Sequence, residues 1–173
     1  MIWIVLFALL AWIYLLILHG GFWLARPRLD APPQHEPVAW PRIVAVVPAR
    51  NEADVVAEAL ESLAKQDYPG AFTVLLIDDR SDDATAAEAQ AVAARVPGRL
   101  EVLSAGERPP GWTGKLWALN CGTQAAAAAP NFWWFTDADI HHAPDTLRRL
   151  VEEAERGQGS QVSLMVRLSC RSA

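Results

Sequence analysis

The sequence has few cysteines and lacks the patterns by which cysteine shapes a fold. Only Cys121 and Cys170 occur among the 173 residues, and their spacing fits neither a metal-ligand pair nor a disulfide framework. Disulfide-rich secreted folds and cysteine metal centres are therefore excluded, and the chain suits a reducing compartment.

Two glycine-rich phosphate-binding signatures are also absent from the sequence. Neither G-x-x-x-x-G-K-[ST] nor G-x-G-x-x-G occurs, and the segment GWTGK that ends at Lys115 has a different spacing. The usual signatures of nucleotide hydrolysis and of dinucleotide redox chemistry are therefore missing.

Basic residues are outnumbered by acidic ones. The 15 lysines and arginines stand against 20 aspartates and glutamates, which gives a formal net charge of −5. This balance argues against a nucleic-acid partner, because such partners are bound by basic surfaces.

Hydrophobic residues make up 52% of the chain, which is enough for one domain with a substantial core.

Charged residues are missing from the start of the chain. No Asp, Glu, Lys or Arg precedes Arg26, so residues 1–25 are predicted to form a transmembrane helix. A secretory signal would begin with a basic residue and have a shorter apolar core, and a core helix would not be apolar on every face. Because Arg26 and Arg28 follow directly, we expect a single-pass protein of the cell inner membrane, with the rest of the chain in the cytoplasm.

Residues 26–41 have the composition of a spacer. They contain five of the twelve prolines and no apolar run, so they are predicted to be an extended, proline-rich linker. The folded domain is therefore expected to occupy residues 42–173.

From residue 42 onwards, short apolar runs alternate with helical patterns. Strands are predicted at 42–47, 73–77, 100–103, 132–136 and 161–168, and helices after Asn51, at 84–96, at 115–129 and from Pro144 to Arg156. Asn51 is predicted to cap the first of these helices, with Glu52 and Asp54 in its first turn. This order predicts an α/β fold with a mainly parallel, Rossmann-like sheet.

Polar clusters follow three of the predicted strands. PARNE at 48–52 follows the first, DDRS at 78–81 follows the second, and Asp137-Ala138-Asp139 follows the fourth. Ligands of parallel sheets bind outside the carboxyl ends of the strands, so the three clusters are expected to line one crevice.

The acids after the fourth strand are the strongest candidates for binding a metal ion. In an extended segment Asp137 and Asp139 point to the same side, so both can face one hard divalent cation, which would neutralise a diphosphate. The alternative is that the two acids begin the next turn, where Asp is common.

Four segments of the sequence resemble a known family. The segments VVPARNE, VLLIDDRSDDAT, GWTGKLWALNCG and FWWFTDADIHHAPDTL resemble, in this order, the inverting family-two glycosyltransferases with the GT-A nucleotide-sugar fold. The resemblance covers residues 42–156. GWTGKLWA and the single amino-terminal membrane helix are most similar to the hopanoid-biosynthesis-associated branch, which itself resembles ceramide glucosyltransferases.

The resemblance implies roles for particular residues in binding the donor. Its nucleoside pocket would be walled by Pro48, Ala49, Arg50, Asn51 and Glu52. Asp79 would accept a hydrogen bond from a uracil ring, the alternative being a loop acid that caps the next helix.

The resemblance also implies how the diphosphate is held. Asp139 would bind Mn²⁺ or Mg²⁺ directly, and Asp137 would contact the ribose or a metal-bound water. Lys115, at the start of a helix, could place an ammonium group near the diphosphate, the alternative being an ordinary solvated lysine. The implied reaction is metal-assisted transfer of a sugar, with inversion, from a nucleotide diphosphate to a lipid acceptor.

One part of the family pattern has no match in the sequence. The catalytic base of the family lies beyond the Asp-x-Asp segment, so it is expected beyond Ala173, and the chain is expected to be truncated. A non-catalytic nucleotide-sugar-binding remnant is therefore an alternative. A haloacid-dehalogenase-type phosphatase is another, but it requires Thr where this chain has His141.

Overall fold

A computed structural model describes residues 2–18, 37, 39–157 and 161–164. The chain divides into two compact units, one made of residues 1–34 and 163–173 and the other of residues 35–162.

The first unit contains an apolar helix. Helix α1 spans Ile2–Ile13 and continues as a π-helical turn over Tyr14–Leu18, with no acidic or basic residue in either. Among the described residues, no helix has both the length and the apolar character needed to cross a bilayer. Residues 19–25 are not described, and the anchor over residues 1–25 stays a prediction.

The second unit is built on a parallel four-stranded sheet, which confirms the predicted α/β class. Its strands lie in the order β3-β2-β1-β4. In chain order the elements are β1 Ile43–Ala49, α2 Val56–Ala64, β2 Phe72–Asp78, α3 Thr85–Arg95, β3 Leu100–Ser104, α4 Gly114–Ala125, β4 Phe132–Phe135 and α5 Thr146–Gly157.

Side chains of β1 alternate between two apolar cores, one on each face of the sheet. Ile43, Ala45 and Val47 belong to the core that also includes buried residues of α2, α3 and α5. Val44 and Val46 belong to the second core, which includes Ala118 of α4. Because both faces of β1 are covered, its sequence is apolar throughout, as expected for a central parallel strand.

Strand β4 differs from its prediction as a buried strand. It pairs with β1, with Val46 opposite Phe135, and it lies at one edge of the described sheet. Phe135 is 52% exposed, and its ring stacks on Trp133. The apolar run therefore forms a half-buried edge strand, and Thr136 lies beyond its end.

Several predicted element boundaries are wrong. Helix α2 begins at Val56, so Asn51 does not cap it and Glu52 and Asp54 precede its first turn. The helix predicted at 115–129 ends at Ala125, and α5 begins two residues after Pro144. Residues 161–164 form no strand, and the remainder of the strand predicted at 161–168 lies outside the described residues.

Candidate functional site

A cavity opens at the carboxyl ends of β1 and β2, beside the first turn of α4. Its volume is about 270 Å³. It is lined by Pro48, Ala49, Arg50, Glu52, Asp79, Gly114 and Lys115. The loops after the first two strands therefore converge as their positions in the sequence predict.

Hydrogen bonds from side chain to backbone join the loops that follow β1 and β2. The backbone N–H of Asn51 donates to Oγ of Ser81 at 3.0 Å, and Oδ1 of Asn51 accepts from the N–H of Asp82 at 2.9 Å. The N–H of Glu52 donates to Oγ1 of Thr85 at 2.8 Å. Asn51 is therefore an exposed residue that joins the two loops, and it does not line the cavity.

The conformation of Asn51 suits this role. Its φ of 55° lies in the left-handed region, which asparagine tolerates better than most residues. Since the bonds cross between two loops, each loop fixes the backbone of the other, and Arg50 and Glu52 are held on either side of Asn51 at the cavity.

Asp79 is the buried acid of the cavity. Its N–H donates to the carbonyl of Ala49 at 2.9 Å, which continues the β1–β2 pairing past the end of the strands. The side chain is only 6% exposed, and Nη1 of Arg50 lies 3.7 Å from Oδ2, too far for a hydrogen bond. Oδ1 is buried without a hydrogen-bond partner in the described part of the chain. Because an unpaired buried oxygen is costly, a donor group on a ligand would relieve it.

Lys115 joins the cavity to the acids that follow β4. Its Nζ lies 2.6 Å from Oδ1 of Asp137, and both side chains are about half exposed, at 59% and 49%. Lys115 is in the first turn of α4, whose N-cap is Thr113, with Oγ1 accepting from the N–H of Leu116 at 3.4 Å. Asp139 is exposed. The helix start therefore presents its lysine to the segment after β4.

Comparison with known proteins identifies the family. The chain matches the model of Glycosyl transferase family 2 over residues 44–170, which is more than half of its length. The chain belongs to this family.

Two curated relatives agree with this assignment. The chain is 33% identical over 115 residues to a beta-monoglucosyldiacylglycerol synthase of Synechocystis sp., covering 66% of this chain and 23% of the relative. It is 34% identical over 126 residues to the succinoglycan biosynthesis protein ExoO of Rhizobium meliloti, covering 72% of this chain and 32% of the relative. The match thus spans about a quarter to a third of these relatives.

Solved structures share the fold of this glycosyltransferase domain. A mannosyltransferase from Pyrobaculum calidifontis, in complex with GDP-Man and Mn²⁺, is 31% identical with a TM-score of 0.59, over 78% of this chain and 37% of the other. TarS from S. aureus in complex with UDP is 27% identical with a TM-score of 0.53, over 68% of this chain and 33% of the other. The predicted GT-A fold is supported by these neighbours.

Of the donor-binding residues predicted for this family-two domain, six line the cavity. They are Pro48, Ala49, Arg50, Glu52, Asp79 and Lys115. Asp137 is connected to them through its ion pair with Lys115, whereas Asn51 and Asp139 are outside the lining. Ligand binding by these residues stays a prediction.

The acids at the cavity influence one another. Burial raises the pKa of the Glu52 carboxyl, and the negative charges of Asp139, Asp83 and Asp137 raise it further. The carboxylates after β4 are therefore near enough to Glu52 to repel it.

Within the residues that the structure describes, no group of three or more His, Cys, Asp or Glu side chains could hold a metal ion.

His142 is partly buried and does not line the cavity. Its Nε2 lies 2.9 Å from Oγ1 of Thr136, and its ring packs edge-on against Trp134 at a centroid distance of 4.8 Å. Burial, with a smaller contribution from the neighbouring His141, lowers the pKa of His142 to about 4. The imidazole is therefore neutral at physiological pH, and it anchors the turn after β4.

Gly114 is the cavity residue that the sequence did not identify as part of the site. The segment GWTGK predicted a lysine at the start of a helix. The close approach of Gly114 is to Asp79, 35 positions earlier in the sequence, which the segment itself does not indicate. A glycine directly before the lysine at a helix start was the available signal.

Proposed function

We propose that this chain binds a UDP-sugar, and that the protein transfers the sugar, with inversion, to a lipid acceptor at the cytoplasmic face of the inner membrane. The observation that carries the proposal is the placement of Asp79 and Lys115 in one cavity at the carboxyl ends of β1 and β2. A buried hydrogen-bond acceptor and a cation are what a nucleobase and a diphosphate require, respectively.

The nucleobase is assigned to Asp79. Its unpaired Oδ1 can accept a hydrogen bond from the imide N–H of uracil, which would repay the cost of burying this oxygen. Arg50 lies beside Asp79 and half exposed, so it remains free to contact the nucleotide. The complexes of neighbouring structures with UDP and with GDP-Man support a nucleotide-sugar donor of this kind.

The diphosphate is assigned to Lys115, Asp137 and Asp139. The Lys115 ammonium already pairs with Asp137, so it lies between the cavity and the acids after β4. The two carboxylates fit Mg²⁺ or Mn²⁺, because such ions use one or two protein carboxylates and complete their shell with substrate phosphate and water. When bound, the cation would neutralise charge on the leaving diphosphate. The Mn²⁺ complex of the mannosyltransferase supports this choice.

The protein's own residues contribute in distinct ways to transfer. Asp79 fixes the nucleobase and so the direction of the diphosphate, and Lys115 stabilises negative charge that grows on the diphosphate as the glycosidic bond breaks. The joined loops around Asn51 fix the loop that carries Asp79 before the donor binds, and the first turn of α4 carries Lys115.

The lipid acceptor is proposed on two grounds. One curated relative is a beta-monoglucosyldiacylglycerol synthase. The apolar residues 1–25, with Arg26 and Arg28 behind them, would hold the domain at the cytoplasmic leaflet, where a lipid hydroxyl is within reach. A hopanoid-type lipid is the acceptor class that GWTGKLWA and the anchor favour.

Binding and transfer are tested in sequence. Calorimetry with UDP, UDP-sugars and GDP-mannose, with and without Mn²⁺, should show cation-dependent binding with UDP preferred. A chain that ignores all of these nucleotides would overturn the proposal. Radiolabelled sugar appearing in extracted lipid would demonstrate transfer, whereas donor binding without transfer would establish the alternative of a donor-binding module.

Asp139→Asn tests the metal assignment. The amide retains the shape of the side chain but removes its charge, so the stimulation of UDP binding by Mn²⁺ should fall roughly tenfold or more. Asp54→Asn is the matched control, since Asp54 is exposed and outside the cavity. If Asp139→Asn kept undiminished, Mn²⁺-dependent affinity, the cation would have to bind elsewhere.

A further inference from the structure

Gly114 occupies a position where local structure gives glycine no advantage. It is the first residue of α4, and its φ is not in the left-handed region that favours glycine. Neither the backbone conformation nor helix formation therefore requires glycine at this position. Tertiary contacts supply a reason for it.

The contact is with the buried acid of the cavity. A Cβ built on Gly114 would overlap Oδ2 of Asp79 and lie 3.3 Å from its Cγ. The backbone of Asp79 is fixed by its N–H bond to Ala49 and its side chain is 94% buried, so the carboxylate could give way to a Cβ only by rotating out of its present orientation. The first turn of α4 and the Asp79 carboxylate are therefore in contact because residue 114 has no side chain.

This contact also has favourable electrostatics. The backbone N–H groups at the start of a helix carry partial positive charge, which stabilises a nearby carboxylate. Nη1 of Arg108 would lie 3.6 Å from the same Cβ, so a guanidinium flanks the contact as well. The Asp79 carboxylate thus lies beside both the start of α4 and the guanidinium of Arg50.

We propose that Gly114 is a positioning residue for recognition of the nucleobase: by allowing α4 to contact Oδ2 of Asp79, it sets the orientation in which Oδ1 can accept a hydrogen bond from the base. The inference rests on the proposed function, because it assumes that Asp79 reads the base. A side chain at residue 114 acts on the nucleotide through Asp79 and needs no contact of its own.

A double-mutant cycle tests the inference in the full chain. UDP affinity is measured by calorimetry for the original chain, Asp79→Ala, Gly114→Ala and the double variant. Losing a hydrogen bond to a charged group should weaken binding roughly tenfold or more in either single variant. The double variant should bind UDP as Asp79→Ala does, to within about twofold, because the displaced carboxylate is already absent.

A second glycine of the same helix provides the control. A Cβ at Gly122 would overlap Cγ1 of Val46 in the core and lie 3.1 Å from Cγ1 of Ile77, and none of its three nearest atoms belongs to Asp79. Gly122→Ala should lower the melting temperature by overpacking but leave the UDP affinity of the folded protein within about twofold. Equal losses of affinity in Gly114→Ala and Gly122→Ala would show that only the packing of α4 matters, and would overturn the inference.

Other outcomes are equally decisive. If the original chain binds no nucleotide, the proposed function itself fails. If Asp79→Ala weakens UDP binding but Gly114→Ala does not, the function stands and the role of Gly114 is wrong. If Gly114→Ala does not fold, the inference predicts that adding Asp79→Ala restores folding, and a double variant that stays unfolded would refute it.

Discussion

Lys115 and Lys65 are both exposed lysines paired with a carboxylate, but only Lys115 lines the cavity. Nζ of Lys65 lies 3.1 Å from Oε2 of Glu61 within α2, whereas Lys115 pairs with Asp137 across the site. Such exposed pairs contribute on the order of 0 to 1 kcal/mol to stability, so neither lysine is needed for folding. Their removal can therefore separate binding from stability.

Lys115→Met should weaken UDP binding roughly tenfold, because a charge-assisted contact to the diphosphate is lost, with a nearly unchanged melting temperature. Lys65→Met should leave the affinity within about twofold. Calorimetry and thermal melting of both variants provide the check. Equal UDP affinities of the two variants would contradict a contact between Lys115 and the diphosphate.

His142 makes stability depend on pH. Its pKa is lowered to about 4 in the folded protein, mainly by burial, against an ordinary value of 6.5. Between these two pH values the unfolded chain binds more protons than the folded one, so the free energy of unfolding increases with pH there. The contribution of His142 is fully present above pH 6.5 and is lost as the pH falls towards 4, at most about 1.4 kcal/mol per pH unit.

His142→Gln should flatten this dependence. Urea unfolding of both chains at intervals between the two pKa values would give the slopes, and the difference between the chains isolates this residue from other titrating groups. His141→Gln is the neighbouring comparison: His141 is exposed and contributes only the smaller part of the lowered pKa of His142, so this variant should keep most of the slope. Parallel pH profiles of the original chain and His142→Gln would contradict a neutral, partly buried imidazole.

Thr85 shows how an element can hold a loop. It begins α3, is fully buried, and its Oγ1 accepts from the N–H of Glu52 while donating to Asp83. The start of α3 thereby fixes the loop after β1, which lines the cavity. A helix start that would otherwise serve only the helix thus shapes the site.

Thr85→Val should leave the N–H of Glu52 without its acceptor and cost roughly 1–3 kcal/mol of unfolding free energy. It should also weaken UDP binding, since the Glu52 segment is released. Thr123→Val is the matched control, because Oγ1 of Thr123 donates to the carbonyl of Asn120 within its own helix and the described residues show no bond from it to another element. Urea titration and calorimetry measure the two effects, and equal losses in both variants would argue against a special role of Thr85.

Across the whole molecule, features that depend on local pattern could be predicted and features that depend on distant contacts could not. The apolar runs and helical periodicities predicted the alternation of strands and helices, the parallel sheet and the approach of the loops that follow β1 and β2. Asn51 is of a residue type that commonly caps helices, but its side chain accepts a hydrogen bond from the N–H of Asp82, 31 positions away. The exposure of Phe135 follows from the edge position of β4, and the need for Gly114 follows from Asp79, neither of which a local pattern encodes.

The amino-terminal residues give the last prediction, which concerns where the molecule works. If residues 1–25 anchor the protein, Leu10→Lys should cost about 2.5–3.5 kcal/mol of insertion free energy and release much of the protein from membranes washed with carbonate. Leu164→Lys is the control, because this exposed leucine lies outside the predicted anchor. A cleaved secretory signal would instead yield a mature chain that lacks these residues by mass spectrometry, and the lipid acceptor would then lose one of its two supports.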